Sequence, residues 1–533
     1  MEDIRFLIEE LLCYALDREL IQKEDIFYER NRLLDLLAVE EPYPETVGRG
    51  LPCEAAFAAA RALCPAESLT PEPILSKILD YAAEKGLIPE NLTTWRDLLD
   101  ARIMGGLTAR PSEFLRAFAE AEKAGGEAGT DYFYRLSRAN HYIMTERIAK
   151  NLYWRTGTPY GSLEITVNLS KPEKDPREVA RLATVKSAAY PKCLLCPENV
   201  GYAGRFNHPA RQNLRQLPLT LQGEEWFMQY SPYVYYNEHC IVLKGAHVPM
   251  LVNGVTFRRL FDFVDRFPHY FLGSNAGLPV VGGSILYHEH YQGGRHRFPM
   301  EEAQSLAEYR LPEFPAVSVK RVNWPLTTYR LAGADREEVC RAADRLFTVW
   351  QGFSAPEAGI VARSEENGKT VPHNTVTPIA RRNAEGLYEL DVVLRCNITT
   401  PERPDGLFHP APELFHIKKE NIGLIEVMGL AVLPGRLRAE MSLIAELLCG
   451  ERTEAAMSDA ERASLEKHHP WIDTLLAEHG TKMERAAAEE FLRDEVGTIF
   501  SRVLECCGVF KADGTGVATE ARYLAECGLR KIQ

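Results

Sequence analysis

The sequence has no long apolar segment, no block of basic residues and few cysteines for its length, and each shortage excludes a class of protein. No run approaches the ~20 apolar residues that a membrane-spanning helix needs, and acids interrupt the first ten residues, unlike the apolar core of a secretory signal. Twelve cysteines in 533 residues are too few for a disulfide scaffold. With 62 Lys and Arg against 75 Asp and Glu, the net charge of −13 argues against nucleic acid or an anionic membrane as a partner. We therefore expect a reduced, cytoplasmic protein.

Periodic apolar positions predict helices at both ends of the chain. A spacing of three and four residues is typical of the buried stripe of an amphipathic helix. The stripe recurs within residues 1–155 at Ile4, Leu7, Ile8, Leu11, Leu12 and Leu16, at Leu75, Ile78, Leu79 and Ala82, and at Met144, Ile148 and Leu152. From Arg436 onward the pattern is helical again, and residues 458–461 (Ser-Asp-Ala-Glu) have the form of a capping box.

The central part of the chain instead has the composition and pattern of strands, namely β-branched and aromatic residues and period-two alternation. The strands predicted there are 163–169, 226–230, 233–236, 240–243, 284–291, 316–320 and 388–394, with helices at 257–267 and 335–353. We therefore expect an α+β fold with two antiparallel-sheet units in tandem and a helical extension at each end. The predicted segments are a helical region at 1–158, a first unit at 159–312, a second unit at 313–435 and a helical region at 436–533.

Histidines are concentrated around residues 282–294, which read Gly-Gly-Ser-Ile-Leu-Tyr-His-Glu-His-Tyr-Gln-Gly-Gly. On a strand, His288, His290 and Gln292 would share one face, because side chains alternate with period two. Three hydrogen-bonding groups on one face do not make an apolar core. The paired glycines on either side permit close approach of a ligand, and their amides suit phosphate oxygens. The alternative is a polar sheet face exposed to water.

Cys193 and Cys196 form a C-x-x-C pair, the one cysteine spacing here that suggests chemistry. Such a pair is moderate evidence for zinc, because a closed site needs further ligands. The alternative is two reduced thiols in a turn. The other cysteines, among them Cys13, Cys340 and Cys449, are expected to be buried free thiols on helices.

The H-x-H-x-Q stretch resembles the active-site strand of the histidine-triad superfamily, in the nucleotidyl-transferase branch that has Gln in place of the third His. The more specific resemblance is to the second class of galactose-1-phosphate uridylyltransferases, found in Gram-positive bacteria, and it extends over nearly the whole chain. Four further stretches carry it, at 160–176, 196–205, 372–381 and 416–429. It implies that each central unit is histidine-triad-like.

The resemblance implies a ping-pong exchange in which UDP-glucose and galactose 1-phosphate give glucose 1-phosphate and UDP-galactose. His290 matches the nucleophile that carries the uridylyl group, and Gln292 would hydrogen-bond a phosphoryl oxygen. Glu289 stands where the better-known class has Pro; period two points it away from His290, so it receives no chemical role. Contacts to the phosphates and sugar phosphate are implied for Asn275, Gly283 and Ser284.

The resemblance also implies the rest of the zinc site. The better-known class supplies two histidines, and His247 and His288 occupy those relative places, with His239 competing as the third ligand. A closed site of two cysteines and two histidines would be structural and would hold the active strand in place.

Four more residues are candidates for substrate recognition. Arg205, Asn207 and Arg211 are cationic and amide groups suited to a pyrophosphate and uracil, although a solvated loop is the alternative. Glu426, on a strand-like apolar stretch, matches a glutamate on a sugar hydroxyl, and an internal Arg is the alternative partner. Further cations that could offset phosphate charge are Arg381, Arg382 and Lys418.

Two other functions remain open. A different nucleotidyl transferase or dinucleotide phosphorylase would share His290 and Gln292 but differ in its base and sugar pockets. A zinc-stabilised nucleotide-binding regulator would keep the cysteines and glycines without a reactive His290. The expected partners are the two small-molecule substrates, with a homodimer left open and no nucleic acid or membrane.

Overall fold

The computed structural model describes residues 2–170, 188–366 and 368–532, so residues 171–176 of one family-like stretch lie outside the described part. The chain forms two compact units. The first comprises Met1–Lys150 and Ser170–Val248, and the second comprises Asn151–Leu169 and Pro249–Gln533. Helices and largely antiparallel sheets both contribute, so the fold class is α+β. The four sequence segments proposed above stay a prediction.

Helices make up the amino-terminal part of the first unit. They are α1 (Ile4–Asp17), α2 (Ile26–Leu36), α3 (Glu54–Leu63), α4 (Glu72–Glu84), α5 (Thr93–Gly106), α6 (Pro111–Glu122), α7 (Gly126–Ala139) and α8 (Thr145–Ile148). Of the predicted stripe of α1, the residues from Leu7 to Leu12 are buried, with Leu11 and Leu12 fully inaccessible, whereas Ile4 and Leu16 at its ends are partly exposed. Asp3 caps this helix, since its side chain accepts from the Arg5 amide at 2.9 Å.

Three consecutive antiparallel strands complete the first unit. They are β3 (Leu217–Leu221), β4 (Glu224–Tyr230) and β5 (Cys240–Lys244). The strand predicted at 233–236 is wrong, because that segment forms a turn in which Val234 has φ +37°. Aromatic residues there raised the β propensity, but a left-handed residue cannot continue a strand.

The second unit contains the remaining strands. They are β1 (Leu152–Thr158), β2 (Gly161–Asn168), β6 (Phe271–Gly273), β7 (His290–Gly294), β8 (Ser305–Arg310), β9 (Ser318–Val322), β10 (Thr328–Gly333), β11 (Arg363–Glu366), β12 (Lys369–Pro372), β13 (Asn374–Arg382), β14 (Tyr388–Cys396), β15 (Leu430–Pro434) and β16 (Arg530–Lys531). The sheet order is β16-β8-β9-β10-β14-β13-β6-β7, while β1, β2 and β15 form a separate sheet in which β15 runs parallel to β2.

Helices cover and extend these sheets. They are α9 (Gly254–Arg266), α10 (Pro299–Glu302), α11 (Arg336–Gly352), α12 (Leu424–Val427), α13 (Leu437–Cys449), α14 (Asp459–Leu465), α15 (His469–His479), α16 (Arg485–Cys507) and α17 (Gly514–Cys527). The capping box of α14 is confirmed, since the Ser458 amide donates to Glu461 at 2.8 Å and the Glu461 amide donates to the Ser458 hydroxyl at 3.3 Å.

The core of the second unit lies between α11 and the sheet. Trp350 is fully buried, and its indole N–H donates to the carbonyls of Thr375 at 2.9 Å and Arg395 at 3.1 Å, one on each of two paired strands. Among the described residues, none of the helices combines the length and the apolar character needed to cross a bilayer.

Candidate active site and metal centre

Strand β7 carries the predicted nucleophile, but it is shorter than predicted. The sequence predicted a strand over 284–291, whereas β7 begins at His290 and ends at Gly294. It pairs with β6, placing Gly273 opposite Gln292 and Phe271 opposite Gly294. His288 therefore precedes the strand, and the argument from strand alternation holds only for His290 and Gln292.

The backbone fixes the tautomer of the His290 ring. Its Nδ1 lies 2.8 Å from the carbonyl oxygen of His288, which can only accept, so Nδ1 carries the proton. The lone pair then resides on Nε2. Burial lowers the pKa of His290 to about 4, outweighing the hydrogen bond to the His288 carbonyl, which acts to raise it. The imidazole is therefore neutral near pH 7, which is the form that can attack phosphorus.

The side-chain oxygen of Gln292, Oε1, is buried and accepts no hydrogen bond from any residue that the structure describes. A buried oxygen in this state gains from a ligand that donates a hydrogen bond to it. The position, two residues along the strand from His290, suits a role next to the reacting phosphate.

Glu289 has a structural partner instead of a chemical role. Its Oε1 accepts from Nη1 of Arg259 on α9 at 2.9 Å, and both residues are buried. This pair ties the residue before the nucleophile to a helix, consistent with the prediction that Glu289 points away from His290. No sequence pattern identified Arg259 as its partner.

Of the predicted sugar-phosphate residues, Asn275 contacts the start of α12 and Gly283 lies against Asn275. Asn275 is buried, and its Oδ1 accepts from the Leu424 amide at 2.8 Å. A Cβ added to Gly283 would lie 3.0 Å from the Asn275 amide nitrogen, so this glycine permits a close approach. Ser284, the next residue, is exposed.

Glu426 lies on α12 and not on a strand. Its Oε2 accepts from the Gly423 amide at 3.0 Å, and its Oε1 pairs with the ammonium group of Lys418. Both side chains are largely buried, at 9% and 7% exposed. The strand-like prediction was wrong, because a four-residue apolar helix cannot be told from a strand by composition. The internal cation partner foreseen for Glu426 exists, as Lys and not as Arg.

The other predicted phosphate-neutralising cations are also paired with carboxylates. Arg381 Nη2 lies 2.7 Å from Asp391, and Arg382 Nη2 lies 2.8 Å from Asp265. Their charges are thus balanced within the protein, which weakens the case for them as phosphate ligands.

Cys193, Cys196 and His247 lie together in the first unit, and one potential ligand atom from each lies within 4.8 Å of the others. His288, the fourth predicted ligand, belongs to the second unit. The two sulfurs are 3.5 Å apart, and Cys196 Sγ lies 3.2 Å from His247 Nδ1. His239 is not in this group; its ring packs on Tyr236 at a centroid distance of 4.4 Å.

The three donors of the first unit fit three corners of a tetrahedral zinc site. Zn–S bonds of about 2.3 Å and Zn–N bonds of about 2.0 Å put neighbouring ligand atoms roughly 3.5–3.8 Å apart in a tetrahedron. The measured separations are close to these values. Asn199 holds the loop, because its Nδ2 donates to the carbonyls of Cys193 and Cys196, both at 2.8 Å. Cys13 and Cys340 are buried as expected, whereas Cys449 is only partly buried.

The predicted recognition loop is half-buried and rich in positive charge. Arg205 donates to Asn207 Oδ1 at 2.8 Å and to the Tyr202 hydroxyl at 2.7 Å. Within the described part of the chain, the Arg211 guanidinium donates only to the Ala210 carbonyl, at 3.3 Å, and its buried Nε has no partner there. Neither arginine pairs with a described carboxylate, unlike Arg381 and the others above.

Comparison with known proteins yields matches along almost the whole chain. The family described as galactose-1-phosphate uridyl transferase, N-terminal domain, matches residues 19–249, and its C-terminal domain matches residues 263–468. A galactose-1-phosphate uridylyltransferase from Caldanaerobacter subterraneus is 51% identical over 100% of this chain and 99% of its own length. That of Halalkalibacterium halodurans is 49% identical, covering 98% of each chain. That of Bacillus subtilis is 45% identical over 99% of this chain and 98% of its own.

Among solved structures, yeast Ap4A phosphorylase Apa2 aligns with a TM-score of 0.29 and 11% identity, covering 56% of this chain and 87% of that one. So weak a structural similarity carries no argument, and the assignment rests on sequence. Because the two domain matches span most of the chain and the relatives align almost end to end, the chain belongs to the galactose-1-phosphate uridyl transferase family.

Proposed function

We propose that the protein transfers a uridylyl group from UDP-glucose to galactose 1-phosphate through a covalent intermediate on His290. The observation that carries this proposal is the hydrogen bond from Nδ1 of His290 to the His288 carbonyl, 2.8 Å long. It orients a buried neutral imidazole with Nε2 available, which a nucleophile requires and a merely structural histidine does not.

In the first step, Nε2 of His290 attacks the α-phosphorus of UDP-glucose. The bond from that phosphorus to the bridging oxygen breaks, and glucose 1-phosphate leaves with the bonding electrons. The imidazole becomes positively charged while Nδ1 keeps its proton, so no base is needed. The His288 carbonyl dipole stabilises that developing charge.

In the second step, a phosphate oxygen of galactose 1-phosphate attacks the same phosphorus. The N–P bond breaks, the electron pair returns to Nε2 and UDP-galactose is released. The side-chain N–H of Gln292 donates a hydrogen bond to a phosphoryl oxygen as charge shifts in each step. We propose that the sugar phosphate is bound by Asn275, Gly283, Ser284 and Glu426.

We also propose a structural zinc ion held by Cys193, Cys196, His247 and His288. When bound, it supplies a fixed point for the loop before β7. His288 would then serve twice, with its ring toward the metal and its backbone carbonyl orienting His290. We propose that the loop residues Arg205, Asn207 and Arg211 bind the nucleoside diphosphate. We also propose that the protein is cytoplasmic.

The test is to mix the purified protein with UDP-glucose alone and measure its intact mass. A uridylyl adduct should form, localise to His290 by peptide mapping and disappear on adding galactose 1-phosphate, with release of UDP-galactose. A regulator without turnover gives no adduct. A dinucleotide phosphorylase instead splits a dinucleoside polyphosphate in the presence of phosphate and does not use galactose 1-phosphate.

A further inference from the structure

The helical region at residues 1–150 ends against the recognition loop. Two asparagines form a reciprocal pair there: Asn140 Nδ2 donates to the Asn213 carbonyl at 2.8 Å, and Asn213 Nδ2 donates to the Asn140 carbonyl at 3.1 Å. Asn140 Oδ1 also accepts from the Tyr142 amide at 3.1 Å. These bonds fix the position of Tyr142 relative to the loop that contains Arg211.

The residue between Asn140 and Tyr142 is held in a strained conformation. His141 has φ +58°, a left-handed value that is rare for a residue other than glycine. Its ring is bracketed by two carboxylates, Asp100 at 2.9 Å and Glu146 at 3.1 Å. Such strain persists only where the surroundings enforce it, and it frequently marks a functional position. Here it turns the chain so that Tyr142 lies against Arg211.

The guanidinium of Arg211 lies over the ring of Tyr142, with Cζ 5.6 Å from the ring centroid. This is within the range of a cation–π contact. Tyr142 is only 5% exposed, so the platform is rigid. The loop backbone completes the support, because the Arg211 amide donates to the Tyr202 carbonyl at 2.7 Å.

A second pair in the same region shows what a purely structural contact looks like. Arg18 lies over the ring of Tyr14 at 5.3 Å, and its Nη2 donates to the carbonyls of Cys64 at 2.9 Å and Pro65 at 2.6 Å. Its donors are used within the protein. Arg211 has the same aromatic support, but among the residues that the structure describes its guanidinium donates only to the Ala210 carbonyl and has no carboxylate partner. A half-buried guanidinium in this state favours an anionic ligand.

We propose that Tyr142 is a positioning residue for the nucleoside diphosphate, acting by holding the guanidinium of Arg211 against the diphosphate. The amino-terminal helical region is then part of the substrate site and not a peripheral cap. This inference rests on the proposed function, since it takes the diphosphate of the sugar nucleotide as the anion.

The test uses UDP, which binds without transferring a uridylyl group to the protein, and measures its affinity by calorimetry. Tyr142→Leu removes the ring and should weaken UDP binding about tenfold, which corresponds to ~1.4 kcal/mol, because the Arg211 guanidinium is no longer held in place. Tyr142→Phe keeps the ring and should bind within about twofold of wild type. Tyr81→Leu, which removes the ring that lies 5.9 Å from the Lys85 ammonium, is the control and should leave the affinity unchanged.

A double-mutant cycle decides whether Tyr142 acts through Arg211. Arg211→Ala should weaken UDP binding, and adding Tyr142→Leu to it should cause no further loss. A further loss in the double variant overturns the positioning role. An unchanged affinity of Tyr142→Leu for UDP would also overturn the positioning role. Where the Leu variant does not fold, Tyr142→Met replaces it, since an unbranched apolar side chain fills the space without a ring.

Turnover separates this inference from the proposed function. Tyr142→Leu should raise the KM for UDP-glucose and leave the KM for galactose 1-phosphate unchanged. If wild type binds no UDP and forms no adduct with UDP-glucose, the proposed function fails and the inference with it. If wild type forms the adduct and Arg211→Ala weakens UDP binding while Tyr142→Leu does not, only the inference fails.

Discussion

At the scale of single residues, one backbone carbonyl decides the chemistry of the site. The oxygen of His288 sets the tautomer of His290, and burial keeps the ring neutral. The H-x-H-x-Q pattern, with the family resemblance, led to the prediction that His290 and Gln292 carry the chemistry. The pattern could not reveal the tautomer, because a hydrogen bond to a backbone carbonyl depends on how the chain turns before the strand and not on residue type.

We expect His290→Gly to abolish both the uridylyl adduct and the exchange while the protein stays folded, because the attacking nitrogen is gone. Gln292→Ala should slow both half-reactions by about 10²-fold, the size of effect expected for one lost hydrogen-bond donor to a developing charge. Single-turnover kinetics measure each step, with Gln304→Ala, an exposed amide of the same unit, as the control. Substantial turnover in His290→Gly would remove the assigned nucleophile.

Metal content tests the cysteine and histidine group. Purified protein should contain about one zinc per chain, and Cys193→Ser should lower both zinc content and thermal stability, since structural zinc contributes to folding free energy. Cys340→Ser, at a buried thiol outside the group, should keep the zinc. Metal-free wild-type protein with full activity and a normal melting temperature would refute the site.

At the scale of elements, the sequence predicted the long periodic segments and misread short apolar ones. Helix α11 and strand β14 were found close to their predicted bounds, because each has many residues in one consistent pattern. Residues 284–289 have the composition of a strand but precede β7, and 424–428 begin as a short helix. Both segments take their form from contacts distant in sequence, such as Asn275 with the Leu424 amide.

Helix α12 provides a test of the role of Glu426. Glu426→Gln should lower the unfolding free energy by about 3 kcal/mol, because it leaves the buried Lys418 ammonium without its close partner. Glu420→Gln is the matched control, since that carboxylate lies 3.5 Å from the same lysine but is 64% exposed, and its loss should cost less than about 1 kcal/mol.

The proposed contact with the sugar is checked separately with the same variants. Glu426→Gln should raise the KM for galactose 1-phosphate while adduct formation on His290 survives. Chemical denaturation measures stability and steady-state kinetics measure the KM. Normal stability with a raised KM would make Glu426 a sugar ligand only, and early unfolding with a normal KM would make it structural only.

At the scale of the whole molecule, stability should fall at alkaline pH. Burial opposes charge on His141, but Asp100 and Glu146 outweigh it and raise the pKa of His141 to about 10. A raised pKa in the folded state means that this contribution is fully present below the unfolded value of about 6.5 and is lost as the pH rises through 10. Urea unfolding between pH 6 and pH 10 should show the loss.

The His141→Asn variant should flatten that pH dependence, because asparagine tolerates the left-handed backbone but cannot be protonated. His479→Asn, at a side chain 37% exposed, is the control and should keep the wild-type slope. An unchanged slope in His141→Asn would mean that the histidine is not the group responsible.

Each unit is built from two separate segments of the chain, and this affects how the protein folds during synthesis on the ribosome. Strand β2 must pair in parallel with β15, from Glu164 opposite Leu430 to Asn168 opposite Pro434. At roughly 5–20 residues per second, the nascent chain emerges for tens of seconds before that partner appears. The first unit has all its residues once Val248 is made. Until β15 arrives, one edge of β2 stays unpaired, the kind of edge that recruits strands from other chains. A chaperone that binds β2 would protect the protein during this interval.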